Sequence, residues 1–261
     1  MLNGFSFAIL TFLFRHLYFI YKPLYYFFKN IQDKAEIKIM DHLVKPGMIV
    51  LDIGSNIGFY SVRLAQLTGS KGAVHCFEPD RDNFKHLKDA VQHMKHVHLN
   101  NAAVSDKDGE LTIYTSHRLN VDHRTYKPEK YEGEYQVKCI AIDNYLKADT
   151  RVDFIKMDIQ GAEVLALKGM EQLLKRSEKL AILSEFAPAF LEGCKAGSAS
   201  EMIPWLSDVG YATYKIDGNK FTPFNTINYN WKQEASKVNG DFYFNILIVK
   251  GYPDLTNESI S

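Results

Sequence analysis

From Asp33 onward, short apolar runs alternate with stretches whose apolar residues recur every three or four positions, the mark of strands and helices taking turns. Residues 33–44 predict a helix, stopped by the turn Lys45-Pro46-Gly47. Short strands are predicted at 49–53, 73–77, 97–104, 110–115, 136–142, 152–157, 180–186, 211–216 and 242–249. Helices are predicted at 57–67, 81–94, 162–175 and 200–209; in the third of these Val164, Leu167, Met170 and Leu174 share a face. The apolar runs at 49–53 and 152–157 have the look of strands buried on both sides. Such alternation predicts one doubly wound α/β domain over residues 33–250, with ligands at the carboxyl ends of the strands. The tail from 251 to 261 is expected to be loose.

The first 32 residues break this pattern and read as a helical arm. Eleven of the chain's Phe and Tyr residues fall within residues 1–28. The longest uncharged run, Met1 to Phe14, is shorter than the ~20 apolar residues of a spanning helix. Arg15, Lys22 and Lys29, spaced by sevens, fall on one helical face opposite Phe and Leu, and Pro23 is expected to bend or end the helix. Two readings stay open: an arm packed on its own domain or a second subunit, and an interfacial anchor touching a membrane surface through residues 1–30.

Composition adds exclusions. The 261 residues carry 31 basic and 31 acidic side chains, a balance that argues against a dedicated nucleic-acid binder. Cys76, Cys139 and Cys194 lack any CxxC spacing and read as reduced thiols of a cytoplasmic protein. Of His86, His93, His96 and His98, the pair His93 and His96 lies one helical turn apart, but no carboxylate or cysteine completes a ligand set, so no metal is expected and the histidines read as a solvated helix face.

The chemistry concentrates at the predicted strand ends. After the strand at 49–53 come Gly54 and Gly58, which let the chain turn tightly and a helix start close to a ligand. Glu78 ends the next strand, twenty residues beyond Gly58, where a carboxylate can accept the ribose hydroxyls of an adenosine. Dinucleotides and S-adenosylmethionine both use this geometry. The spacing Gly54-x-x-x-Gly58, with Asn56 where a middle glycine would lie and Asp52 before the turn, favours the cationic methyl donor over a pyrophosphate.

The runs DIGSNIGFYS, CFEPD, NNAAVSDKDGEL, FIKMDIQGAE and LSEF, in this order over residues 45–215, resemble the FkbM family of S-adenosylmethionine-dependent methyltransferases. The resemblance implies the class I, Rossmann-like fold, a seven-stranded sheet with its last strand antiparallel. It also implies that Asp52, Gly54, Asn56 and Gly58 surround the methionine part of the cofactor, with Ser55 in the same turn. Glu78, followed by Pro79, would hold the ribose; Asn101 and Ala102 would line the adenine pocket; Asp158 would face donor and acceptor. Family members methylate hydroxyls of small molecules, sugars or natural products, so a small-molecule or glycan acceptor is implied. Where the family usually has an acid, this chain has Gln160, which can hydrogen-bond but cannot serve as a base.

A hydroxyl acceptor gains from a general base. Asp158 is the first candidate, followed by Glu163 and Glu185, with His117 and His123 in the segment 116–134 behind them. That segment, with Arg118, Arg124, Lys127 and Tyr131, and the segment 218–240, with Phe221, Phe224, Tyr229 and Trp231, are long enough to build an acceptor pocket. A non-catalytic scaffold that binds the cofactor and a nicotinamide-dependent oxidoreductase are the alternatives to an O-methyltransferase.

Overall fold

In a computed structural model of the chain, residues 4–115, 127, 131–194, 199–227, 229–238 and 242–257 are described, with side chains from residue 9 onward. The centre is a sheet that begins with β1 (Ile49–Ile53), β2 (Ala73–Phe77) and β3 (Val97–Asn100), parallel and side by side. On the other side of β1 lie β7 (Phe154–Met157) and then β8 (Leu180–Phe186), also parallel. The strand β11 (Phe244–Lys250) runs antiparallel between β8 and β9 (Ala212–Asp217). This is the doubly wound methyltransferase-type topology that the sequence predicts. A hairpin strand, β10 (Lys220–Pro223), pairs with β9 and makes the sheet eight-stranded, one strand more than expected.

The fully buried strands explain the continuous apolar runs: Phe154 to Met157 are all buried, as are Val50 to Ile53. One face of the sheet packs Leu51, Ile53, Ile155, Met157 and Ile182 against α7 (Glu163–Lys168), α8 (Glu171–Arg176) and α10 (Ala199–Asp208). The other packs Val50, Val74, Phe154, Leu183 and Leu247 against α3 (Lys34–Leu43), α4 (Phe59–Thr68) and α5 (Arg81–Val91). Two faces covered by helices is what a parallel sheet requires.

Several boundaries depart from expectation. The run 97–104 breaks after Asn100, and β4 (Ala103–Val104) joins a separate three-stranded sheet with β5 (Gly109–Thr115) and β6 (Gly133–Ile140). After β6 the chain turns into α6 (Ile142–Tyr145) rather than continuing as strand. The helix expected at 162–175 divides at Gly169, where a Cβ would stand 1.9 Å from the Ser105 carbonyl oxygen, so the chain passes too close for a side chain. The tail is packed as far as Asn257: Leu255 is buried and the Tyr214 hydroxyl donates to Asp254 at 3.2 Å. Two further short helices, α9 (Pro188–Gly193) and α11 (Trp231–Ala235), lie in segments without a periodic signature.

The arm forms two helices, α1 (Gly4–His16) and α2 (Tyr18–Gln32), that break at Leu17 and not at Pro23. Pro23 stands in the second turn of α2 on its exposed side, where its missing N–H frees one carbonyl that water can reach. Phe14 and Tyr21 are buried together with Ile57 of the turn after β1. His86, expected on a solvated face, stacks on Tyr18 with ring centroids 3.4 Å apart. Among the described residues no helix is long and apolar enough to cross a membrane.

Phe14→Ala removes the ring that joins Tyr18, Tyr21 and His86. It is expected to cost about 3 kcal/mol in chemical denaturation and to expose the arm to protease before the sheet unfolds.

Candidate active site

The turns that leave β1, β2, β7 and β8 meet around a cavity of about 330 Å³. The first turn is fixed by hydrogen bonds. The amides of Gly54 and Ser55 both donate to the Phe77 carbonyl at 3.0 Å, tying the end of β1 to that of β2. Gly54 has a positive φ of 85°, and a Cβ there would lie 2.0 Å from the Asp158 carbonyl oxygen. Its missing side chain therefore lets the turns after β1 and β7 touch. Gly58 also has a positive φ, but the atoms nearest a Cβ there are Leu87 and Ala90 of α5; it serves helix packing and does not line the cavity.

Glu78 is buried, and its carboxylate lines the cavity. It accepts from the amides of Asn56 at 2.7 Å and Asp80 at 2.9 Å. Burial pushes its pKa up to about 8 against those hydrogen bonds. Ala102, Ala103, Val104 and Ile113 form an apolar wall beyond it. Asn101 turns away from the cavity and donates to the carbonyls of Glu78 and Pro79 at 2.8 and 3.1 Å, so it secures the loop.

Asp52 differs from expectation. It is fully buried behind the turn, accepting from Ser61 at 2.5 Å, and does not face the cavity. Its other carboxylate oxygen has no hydrogen-bond partner among the described residues, and burial raises its pKa despite Ser61 and Lys156. Lys156 is in register with Asp52 across β1 and β7, so both side chains lie on the same face of the sheet.

The far end of the cavity holds Asp158, Gln160, Glu185, Lys29, Tyr60 and Tyr243. Lys156, whose side chain is 4% exposed, places its Nζ 3.9 Å from Asp158 and 4.9 Å from the Tyr60 ring centre. Burial opposes the charge on Asp158, but Lys156, Lys29 and the Gln160 amide, 3.0 Å away, outweigh it and hold the carboxyl below its usual range. Glu185 goes the other way: burial, then the charges of Asp158 and Glu163, push it up to about 9. One carboxylate is thus kept ionised and its neighbour on the next strand kept protonated.

Glu163 does not line the cavity. It is 2% exposed, accepts from the Ile159 amide at 3.2 Å and braces the turn after β7. Phe221, Phe224, Tyr229 and Trp231 also lie elsewhere: Phe224 and Tyr229 pack on Phe244, and the Trp231 indole donates to Glu192 at 2.9 Å. His117, Arg118, His123 and Arg124 lie outside the described residues.

Several groups of the site escaped the sequence reading. Tyr25, Lys29 and Gln32 of α2 and Tyr243 line the cavity, and Lys156 stands behind Asp158 without lining it. Lys156 had a signal, being the lone charge in the apolar run Phe154 to Met157. The α2 residues had none, because nothing local ties residue 29 to residue 158.

The methyltransferase FkbM domain matches residues 52–213. The chain belongs to this family. The 2-O-methyltransferase NoeI of Sinorhizobium fredii is 26% identical over 163 residues, which is 55% of this chain and 66% of that protein. The match therefore spans a little under two thirds of the curated relative's length. A candidate rRNA methylase from Clostridium thermocellum superposes over 84% of this chain and 95% of its own, at 14% identity and a TM-score of 0.50, a likeness of fold alone. An S-adenosylmethionine-dependent methyltransferase from Aquifex aeolicus is 18% identical over 81% of this chain and 87% of its own, with a TM-score of 0.43.

S-adenosylmethionine is the cofactor of this FkbM fold, and the cavity passes the test of fit. A buried carboxylate with fixed orientation, an apolar wall beside it and a glycine turn below match a nucleoside joined to a charged amino acid.

Glu163→Gln gives a pH-dependent gain in stability. Burial raises the Glu163 pKa from 4.5 to about 7, against the backbone amides that it accepts from. The unfolded carboxyl ionises first, so the wild type loses stability as pH rises between these values and carries the full deficit above the upper one. The melting temperature of the variant is expected to match the wild type at acid pH and to exceed it from neutral pH upward.

Proposed function

We propose that the protein is an O-methyltransferase that moves a methyl group from S-adenosylmethionine to a hydroxyl of a sugar, glycolipid or small metabolite. The observation that carries this reading is the pair Asp158 and Glu185, on adjacent strand ends, with pKa values driven in opposite directions. Such a split is how a site keeps a base and a hydrogen-bond donor side by side near neutral pH. The Sinorhizobium relative is a 2-O-methyltransferase, which supports oxygen as the atom methylated.

In this reading Glu78 takes the ribose hydroxyls, with Pro79 shaping the loop beside it. Ala102, Ala103 and Val104 flank the adenine, and Gly54, Ser55 and Asn56 run along the methionine part. Asp52 acts from behind, holding Ser61 at the start of α4 and so the shape of the turn. When bound, the cofactor supplies an electrophilic methyl group on a sulfonium. Asp158 accepts the proton of the acceptor hydroxyl, and Lys156 stabilises the carboxylate before that transfer. Glu185, protonated, donates to the acceptor and orients it. Gln160 in place of the family acid donates to Asp158, which holds the carboxylate in position and lowers its basicity.

Calorimetric titration with S-adenosylhomocysteine is expected to show micromolar binding, with NAD inert. Glu78→Ala is expected to weaken that binding by about tenfold, the worth of one or two hydrogen bonds. Transfer of labelled methyl groups to a panel of sugars, glycolipids and small alcohols then reads the reaction. Asp158→Asn is expected to lower kcat/KM by about 10²–10⁴-fold. Wild-type turnover should fall as pH rises through about 9, where Glu185 loses its proton. Glu185→Gln, a donor that does not titrate, should abolish that alkaline fall. No transfer to any acceptor, with cofactor binding intact, replaces this reading with the scaffold.

A further inference from the structure

The helix α2 is turned inside out for a helix on a water-soluble surface. Tyr18, Tyr21, Tyr25, Lys29 and Gln32 face the domain, and Tyr25, Lys29 and Gln32 reach the cavity. Lys29 pairs with Asp33 and lies 5.4 Å from the centre of the Tyr60 ring. The opposite face carries Ile20, Leu24, Phe27, Phe28 and Ile31, which fall within an arc of about 100°. Phe27, Phe28 and Ile31 are each 60% exposed or more, and Phe12 of α1 and Phe19 extend the patch. A surface helix places its apolar stripe toward the core; this one places it toward whatever lies outside.

Charge selects the occupant. Residues 1–32 contain Arg15, Lys22 and Lys29 and no acidic residue, in a chain whose charges otherwise balance. Arg15 is exposed one helical turn from the exposed ring of Phe12 on α1, whereas Lys22 and Lys29 lie on the side of α2 away from the apolar arc. A second copy would bring one cationic arm against another. An anionic bilayer meets the aromatic face with its acyl boundary and Arg15 with its headgroups. No described helix is long enough to span, so the arm lies along the surface.

We propose that the outer face of α2 docks on an anionic lipid bilayer, with the helix lying in the plane of the interface. Because the same helix walls the cavity on its other side, docking sets the cavity at headgroup level. This consequence rests on the reading of the cavity as a methyl-transfer site; the docking does not.

Flotation of the full chain with vesicles of phosphatidylglycerol, and separately of phosphatidylcholine, tests the proposal. The wild type is expected to float with the first and poorly with the second. Combined Phe27→Ser, Phe28→Ser and Ile31→Ser should lower the partition by about tenfold or more, and Arg15→Gln by about fivefold. The serine positions are exposed, and an unchanged melting temperature verifies the fold. Absence of flotation, equal flotation on both vesicles, or flotation unchanged by the serine substitutions overturns the proposal. So does a dimer, measured by light scattering, that the serine variant dissolves while the wild type ignores vesicles; a second copy then covers the face. S-adenosylhomocysteine titration of the same preparations separates the two readings. Flotation without cofactor binding defeats the proposed function and leaves the docking surface standing, and cofactor binding without flotation does the reverse.

Discussion

An ammonium group in the middle of a parallel sheet has to be compensated, and much of this site is arranged around that need. Lys156 stands where the pattern of β7 otherwise puts apolar side chains, and it cannot reach bulk water. An isolated buried charge is strongly unfavourable, and removing one partner of a buried pair leaves the other stranded. The same sheet face accordingly carries Asp52, and the ends of β7 and β8 bring Asp158 and Glu185 to the same lysine. Lys156, even with Lys29 at the cavity wall, does not hold every one of these carboxylates ionised in so little water. The outcome is an unequal division in which Asp158 keeps its charge and Glu185 keeps its proton. The chemistry of the cavity follows from that shortage of positive charge.

The fold was largely legible because its signals are local. Strand positions at β1, β2 and β8 coincide with the apolar runs, and Glu78 and Asp158 fall at strand ends as counting along the chain places them. What could not be read depends on contacts between distant segments. The break after Asn100 arises because β4 pairs with β6, some forty residues later. Gly58 and Asp52 resemble ligand-facing residues in the sequence, but the packing of α5 and the depth of β1 decide otherwise. Glu163 has the residue type of a catalyst, yet an amide hydrogen bond four residues back claims it. Neighbouring positions in one motif thus divide between holding the turn and facing the cavity, a distinction that spacing does not encode.

The arm shows the same lesson at larger scale. Its aromatic content marked it as distinct, and its sevenfold spacing of cations placed them on one face. Which face turns inward was not predictable, because polar-outward is the usual answer. Here the inward side has tyrosines that stack on His86 and a lysine that finds Asp33, while the outward side is apolar. The buried rings of Phe14 and Tyr21 rest on Ile57, part of the turn that shapes the cavity floor, so arm and site form one packed unit.

The stretch shared with the family runs from residue 52 to 213 and supplies the floor, Glu78 and Asp158. Part of the far wall comes from outside it, with Tyr25, Lys29 and Gln32 before and Tyr243 after. Changes on either side of that stretch therefore reach the cavity wall while its floor, Glu78 and Asp158 stay as they are.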